Sequence, residues 1–137
     1  MSPAAAAVLL DTSTVIELSA QPHRVAEPIR GFLAQPSTRL FVSAATAWEV
    51  AIKTARGRLP RGAALIDAWE HNLREMRAEP LDISHLDALA AGSLEWAHRD
   101  PFDRMLVAQA IRYGCRLATR NREILAADVV PTIDTRA

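Results

Sequence analysis

Short apolar runs that stop at polar residues recur along this chain, and stretches with helical spacing separate them. Ala7-Val-Leu-Leu10 is a continuous apolar run ended by Asp11, the pattern of a strand buried on both faces. Arg39-Leu-Phe-Val42, Pro80-Leu-Asp-Ile83, Cys115-Arg-Leu-Ala-Thr119 and Val129-Val-Pro-Thr-Ile133 are the other strand candidates. Between them, helices are expected over Thr12 to Ala20, His23 to Gln35, Ala44 to Gly57, Ala63 to Arg77, Ser84 to Trp96 and Pro101 to Tyr113. Ser43 and Asp100 read as N-caps, Pro101 as a first helical residue, and Gly57 and Gly114 as stops. Strands alternating with helices imply βαβ units. The expected fold class is therefore α/β: a central, mostly parallel, twisted sheet of about four to five strands with helices on both faces.

Composition narrows the class. The 137 residues carry 16 Lys+Arg and 16 Asp+Glu, and half are hydrophobic, which describes one soluble globular domain over 1–137. A chain of this length buries roughly two thirds of its unfolded surface, so it has a core without staples. Cys115 is the only cysteine, which excludes an intrachain disulfide and a Cys-based zinc site and fits a reducing, cytoplasmic setting. The N-terminal run lacks a positively charged start and meets Asp11 too early for a secretory signal. No stretch approaches the roughly 18 to 20 apolar residues of a membrane span. Zero net charge excludes a strongly basic coat but leaves local grooves of either sign.

In open parallel α/β sheets, ligands gather at the carboxyl ends of the strands. Those ends carry Asp11, Ser43, and Thr119 with Asn121, while the helix from Pro101 brings Asp103 in its first turn. Each acid has an ordinary alternative role. Asp11 can cap the following helix, Glu49 can pair with Lys53 four residues on, and Asp100 can cap the Pro101 helix. Together, however, Asp11, Glu49 and Asp103 would place three carboxylates in one crevice, where they need a positive charge. A hard divalent cation meets that need, and an all-oxygen set favours Mg²⁺ or Mn²⁺ over zinc. Such a site suits phosphodiester hydrolysis. His23, His71, His85 and His98 show no pairing for metal-free acid/base cleavage and are expected on the surface or in loops.

The segments LLDTS around Asp11, SAATAWEVAIKTARGRL around Glu49, HRDPFDRMLVAQA around Asp103, and Leu117-Ala-Thr119-Arg120 resemble the PIN-domain nucleases. In particular they resemble the toxin subunit of the VapBC type of bacterial toxin-antitoxin pair. The resemblance implies a PIN fold, an endoribonuclease needing Mg²⁺ or Mn²⁺, a homodimer, and inhibition by a cognate antitoxin. Asp11, Glu49 and Asp103 fall on the family's metal-binding acids, with Thr12, Ser13 and Thr119 as supporting groups. The chain departs from the family at Thr119-Arg120-Asn121, where the resemblance implies a fourth acid. Asn121 offers a carbonyl oxygen without charge, and Asp100 and Glu123 are candidates to compensate. The alternative reading is a weakened PIN domain that mainly binds RNA or the antitoxin.

Basic residues gather in two places: Lys53, Arg56, Arg58 and Arg61 after Glu49, and Arg104, Arg120 and Arg122 near the proposed site. Flanking an acidic crevice, Lys53, Arg56, Arg104, Arg120 and Arg122 would hold RNA phosphates without reading sequence. Trp48, Trp69 and Trp96 lie in helical apolar stripes and are expected to pack in the core. A phospho-acceptor receiver domain is also a small α/β fold with acids at strand ends. It needs a lysine near the last strands, whereas Lys53 is the only lysine.

Overall fold

The computed structural model describes residues 6–137; part of the N-terminal run read against a secretory signal, residues 1–5, lies outside them. The elements run β1 (Ala6–Leu10), α1 (Thr12–Ala20), a 3-10 turn (Pro22–Arg24), α2 (Glu27–Leu33), β2 (Thr38–Ser43) and α3 (Ala44–Ala55). They continue with α4 (Gly62–Asp67), α5 (Trp69–Met76), β3 (Ala78–Leu81), α6 (His85–Ser93), α7 (Pro101–Tyr113), β4 (Arg116–Thr119), α8 (Arg122–Ala127) and β5 (Thr132–Asp134).

The five strands form one sheet in the order β3-β2-β1-β4-β5, and every pairing is parallel. Alternation along β1 divides the core. Val8 and Leu10 join Leu40, Val42, Ala118 and Ile133 on one face, under Val15, Leu33 and Leu73 from α1, α2 and α5. Leu9 joins Leu117 on the other face, under Ala45, Leu106, Val107, Ala110 and Ile124 from α3, α7 and α8. Side chains of a strand point alternately to the two faces, so a strand with helices on both sides must be apolar throughout. That is why the runs read as continuous.

Beyond the two-residue shift of β3 from the expected Pro80–Ile83 and the helix α8, which was not expected, four local readings change. The helix expected over His23 to Gln35 is a 3-10 turn followed by α2, because Val25 and Ala26 are extended and Pro28 sits in the first turn of α2. The Ala26 N–H instead bonds the Thr135 carbonyl. The helix expected over Ala63 to Arg77 breaks at Ala68, which ends α4 and starts α5. The apolar period survives the break, but α4 packs on α3 while α5 leads into β3. The last strand falls on Thr132–Asp134 instead of Val129–Ile133, since Pro131 has no N–H to give the ladder. The helix after Ser84 stops at Ser93, short of Trp96.

Trp48 is also corrected. It is 62% exposed and meets Phe102 edge-on, with ring centroids 5.2 Å apart. Trp69 and Trp96 are partly buried against the two core clusters. No helix among the described residues is long and apolar enough to cross a membrane.

Candidate active site

Strands β2 and β3 lie to one side of β1, and β4 and β5 to the other, so the chain reverses direction across the sheet between β1 and β4. A crevice forms at the carboxyl ends of the strands at such a reversal. Here a cavity of about 230 Å³ is lined by Asp11, Thr12, Ser13, Glu49, Lys53, Asp103, Arg120 and Asn121. A larger cleft of about 540 Å³ opens around the starts of β2 and β3, among Arg30, Arg39, Met76 and Arg77. None of the predicted acids lines it.

Asp11 ends β1 and caps α1, accepting from the Thr14 N–H at 2.8 Å and the Ser13 hydroxyl at 3.0 Å. The Thr119 hydroxyl at the end of β4 donates to its other oxygen. The buried carboxylate that caps α1 thus also lines the cavity. Burial pushes its pKa up, against the pull of the Thr119, Thr14 and Ser13 donors. Thr12 meets Thr46 across 3.2 Å, which ties the start of α1 to α3.

Glu49 is 8% exposed, and its carboxylate lies 3.0 Å from the Lys53 ammonium. The helical pair expected from sequence is present and sits on the cavity wall. Asp103 accepts from His98 Nε2 at 2.7 Å and from Asn121 Nδ2 at 3.4 Å. Burial pushes the Asp103 carboxyl up to about 6, opposed by the His98 donor and reinforced by the negative charges of Asp100 and Glu49. The hydrogen bond to Asp103 in turn raises the pKa of His98. Among the described residues, no three His, Cys, Asp or Glu side chains already form a metal-holding cluster. Each carboxylate instead has its own partner: hydroxyls at Asp11, the Lys53 ammonium at Glu49 and the His98 ring at Asp103.

Several predicted site residues are otherwise engaged. Asp100 accepts from the N–H groups of Phe102 and Asp103, so it caps α7 and does not line the cavity. Asn121 spends its carbonyl oxygen on the Glu123 and Ile124 N–H groups as the cap of α8. It therefore turns a donor, and no ligand oxygen, toward Asp103.

Arg104 is a correction to the phosphate set. Its guanidinium donates to the carbonyls of Ala91, Leu94, Trp96 and His98 at 2.7–3.0 Å. It clamps the end of α6 and the loop that follows. Arg104→Ala is expected to cost about 2 kcal/mol in urea denaturation, the scale of losing hydrogen bonds to a charged group. Arg104→Lys should restore little, because an ammonium cannot span these acceptors as a planar fork does.

Arg120 lines the cavity and pairs with buried Glu17 at 3.0 Å. Arg56 and Arg122 are exposed and do not line it. Sequence reasoning placed His98 on the surface or in a loop; it lies in the loop between α6 and α7, but its side chain is only 15% exposed and contacts both Asp103 and Glu123. Its proximity to the Asp100 cap was the available signal. Glu17 gave none, because its partner is distant in sequence.

No curated protein matches the chain in sequence. Solved structures match its fold. VapBC2 from Rickettsia felis, bound to a DNA fragment from their promoter, aligns with a TM-score of 0.70 at 14% identity, over 93% of this chain and 97% of that one. A toxin-antitoxin complex from Klebsiella pneumoniae aligns with a TM-score of 0.60 at 18% identity, over 92% and 95% of the respective chains. FitAcB from Neisseria gonorrhoeae aligns at 0.52 with 21% identity, over 92% and 96%. The PIN domain family matches residues 8–130, a span that contains every acid lining the cavity. With that match, the parallel sheet and the crevice at its reversal point, the chain belongs to the PIN-domain family.

Proposed function

We propose that this protein is the toxin of a type II toxin-antitoxin pair: an endoribonuclease that requires Mg²⁺ or Mn²⁺, hydrolyses RNA phosphodiester bonds, and is neutralised by a cognate antitoxin. The observation that carries the reading is the convergence of Asp11, Glu49 and Asp103, from three separate elements of a PIN domain, on one cavity. Similar folds in VapBC2, FitAcB and the Klebsiella complex support the toxin assignment.

The donor chemistry fits a hard cation. The acids on the wall are all oxygen ligands, and two of them already draw an N–H donor, the Lys53 ammonium at 3.0 Å and the His98 ring at 2.7 Å. Asp11, Glu49 and Asp103 would hold the ion. When bound, Mg²⁺ or Mn²⁺ supplies charge against the phosphodiester and lowers the pKa of a water. The chain's own groups do the rest. Thr119, Ser13 and the Thr14 N–H fix the orientation of the Asp11 carboxylate. Arg120, held by Glu17, presents a guanidinium on the cavity wall for a phosphate oxygen. Lys53 supplies a second cation on the same wall. Exposed Trp48, Leu86, Leu89, Ile111 and Tyr113 offer apolar surface for a second copy and for the antitoxin.

Purified protein freed of antitoxin is expected to cleave RNA with Mg²⁺ or Mn²⁺ and to stop on addition of EDTA. Undiminished cleavage in EDTA would overturn the metal-dependent reading. The Asn121 amide facing Asp103 favours a second reading, a binding module with weakened catalysis. An inert wild type beside an active Asn121→Asp variant would establish that one instead.

A further inference from the structure

We propose that His98 is a positioning residue for Asp103, fixing one carboxylate oxygen so that the other stays open to a divalent cation. The inference rests on the metal-nuclease reading above and deepens it.

The loop between α6 and α7 would be free to wander if its carbonyls were unpaired. Arg104, on the first turns of α7, instead draws the Leu94, Trp96 and His98 carbonyls onto its guanidinium. The Trp96 ring then lies against the His98 ring, with centroids 4.7 Å apart and planes 36° apart. So fixed, the imidazole stands between two carboxylates. Nε2 reaches Asp103 Oδ2 at 2.7 Å, and Nδ1 reaches Glu123. A carboxylate only accepts, so Nε2 donates.

The two donors to Asp103 converge on the same atom. Asn121 Nδ2 also reaches Oδ2, at 3.4 Å. No hydrogen bond reaches Oδ1 among the described residues, and Oδ1 is not among their buried orphan atoms. An aspartate carboxylate can exchange its two oxygens by turning about the Cβ–Cγ bond. Anchored through Oδ2, it keeps Oδ1 for a ligand. Partners that orient metal ligands in this way change metal affinity when removed. Glu123, with its side chain 68% exposed, touches the site through His98 and holds the far side of the ring.

The test separates this hydrogen bond from packing. The amide nitrogen of glutamine falls near the position of Nε2, whereas that of asparagine falls near Nδ1. His98→Gln therefore keeps a donor for Asp103, and His98→Asn keeps only the Glu123 side. Mn²⁺ alone is titrated into wild type and both variants by isothermal calorimetry, and each metal-free protein is melted. His98→Asn is expected to lose about 10- to 100-fold in Mn²⁺ affinity, with His98→Gln close to wild type and similar melting temperatures throughout. Equal affinity in all three proteins would overturn the inference, as would equal loss in both variants. A wild type that takes up no Mn²⁺ overturns the inference and the metal-nuclease reading together. Wild-type uptake that depends on His98, without RNA cleavage, sustains the inference and overturns the ribonuclease reading alone.

Discussion

Asp11→Asn is expected to reduce RNA cleavage by about 10²- to 10³-fold, the scale of removing one preorganised electrostatic contact, while leaving the protein folded. Asparagine is as good an N-cap as aspartate, so the Thr14 N–H and the Ser13 hydroxyl keep an acceptor. What disappears is the negative charge buried at the junction of β1 and α1. Asp11→Ala would confound the measurement, because losing the cap itself costs roughly 1 kcal/mol. Initial cleavage rates in Mn²⁺, set beside melting curves of both proteins, check the prediction. Wild-type cleavage by Asp11→Asn would exclude a role for this carboxylate in the chemistry.

Asp87→Ala is expected to destabilise the fold by about 3 kcal/mol without touching the cavity. Asp87 is fully buried at the third position of α6, where it forms a reciprocal capping box with Ser84. Its oxygens also accept from Gln109 at 3.0 Å, Arg112 at 2.8 Å and Tyr113 at 3.2 Å, all on α7. Gln109 in turn accepts from Ser43 at the end of β2, so one carboxylate links two helices and the sheet. The cost sits at the low end for a broken buried pair because the Arg112 side chain, 35% exposed, can turn to solvent.

The same carboxylate gives a pH signature. Burial raises its pKa, but the donors from Gln109, Ser84 and Arg112 outweigh burial and hold it at about 2, below its ordinary 3.8. A folded-state pKa below the unfolded value means that the stabilisation is fully present above 3.8. It declines as the pH falls below 3.8 and is gone once the pH is below about 2. Wild type should therefore lose more stability than Asp87→Ala across that window in urea titrations.

The strand-helix alternation, the caps at Ser43 and Asp100, and the stop at Gly114 were legible in the sequence because each is set by neighbours a few residues away. The placing of Asp11 and Asp103 on the cavity wall was legible for a related reason. A residue that ends a buried strand, or sits in the first turn of a helix, has its end of the sheet fixed by local geometry alone. The breaks at Ala68 and after Ser93 were not legible. Apolar period continues through the first, and the second depends on Arg104 reaching back to carbonyls from the next helix.

By itself, then, the sequence determined that this chain forms an α/β fold with acids at the carboxyl end of a parallel sheet. Periodicity and capping are properties of neighbours along the chain, and they suffice for that. The tertiary structure alone decided how those acids are held. It engaged Arg104 on the carbonyls after α6, turned the Asn121 oxygen into a helix cap, exposed Trp48, and set His98 between Asp103 and Glu123. Each outcome is a competition among donors and acceptors from different elements, and only the packed fold brings those competitors within reach of one another.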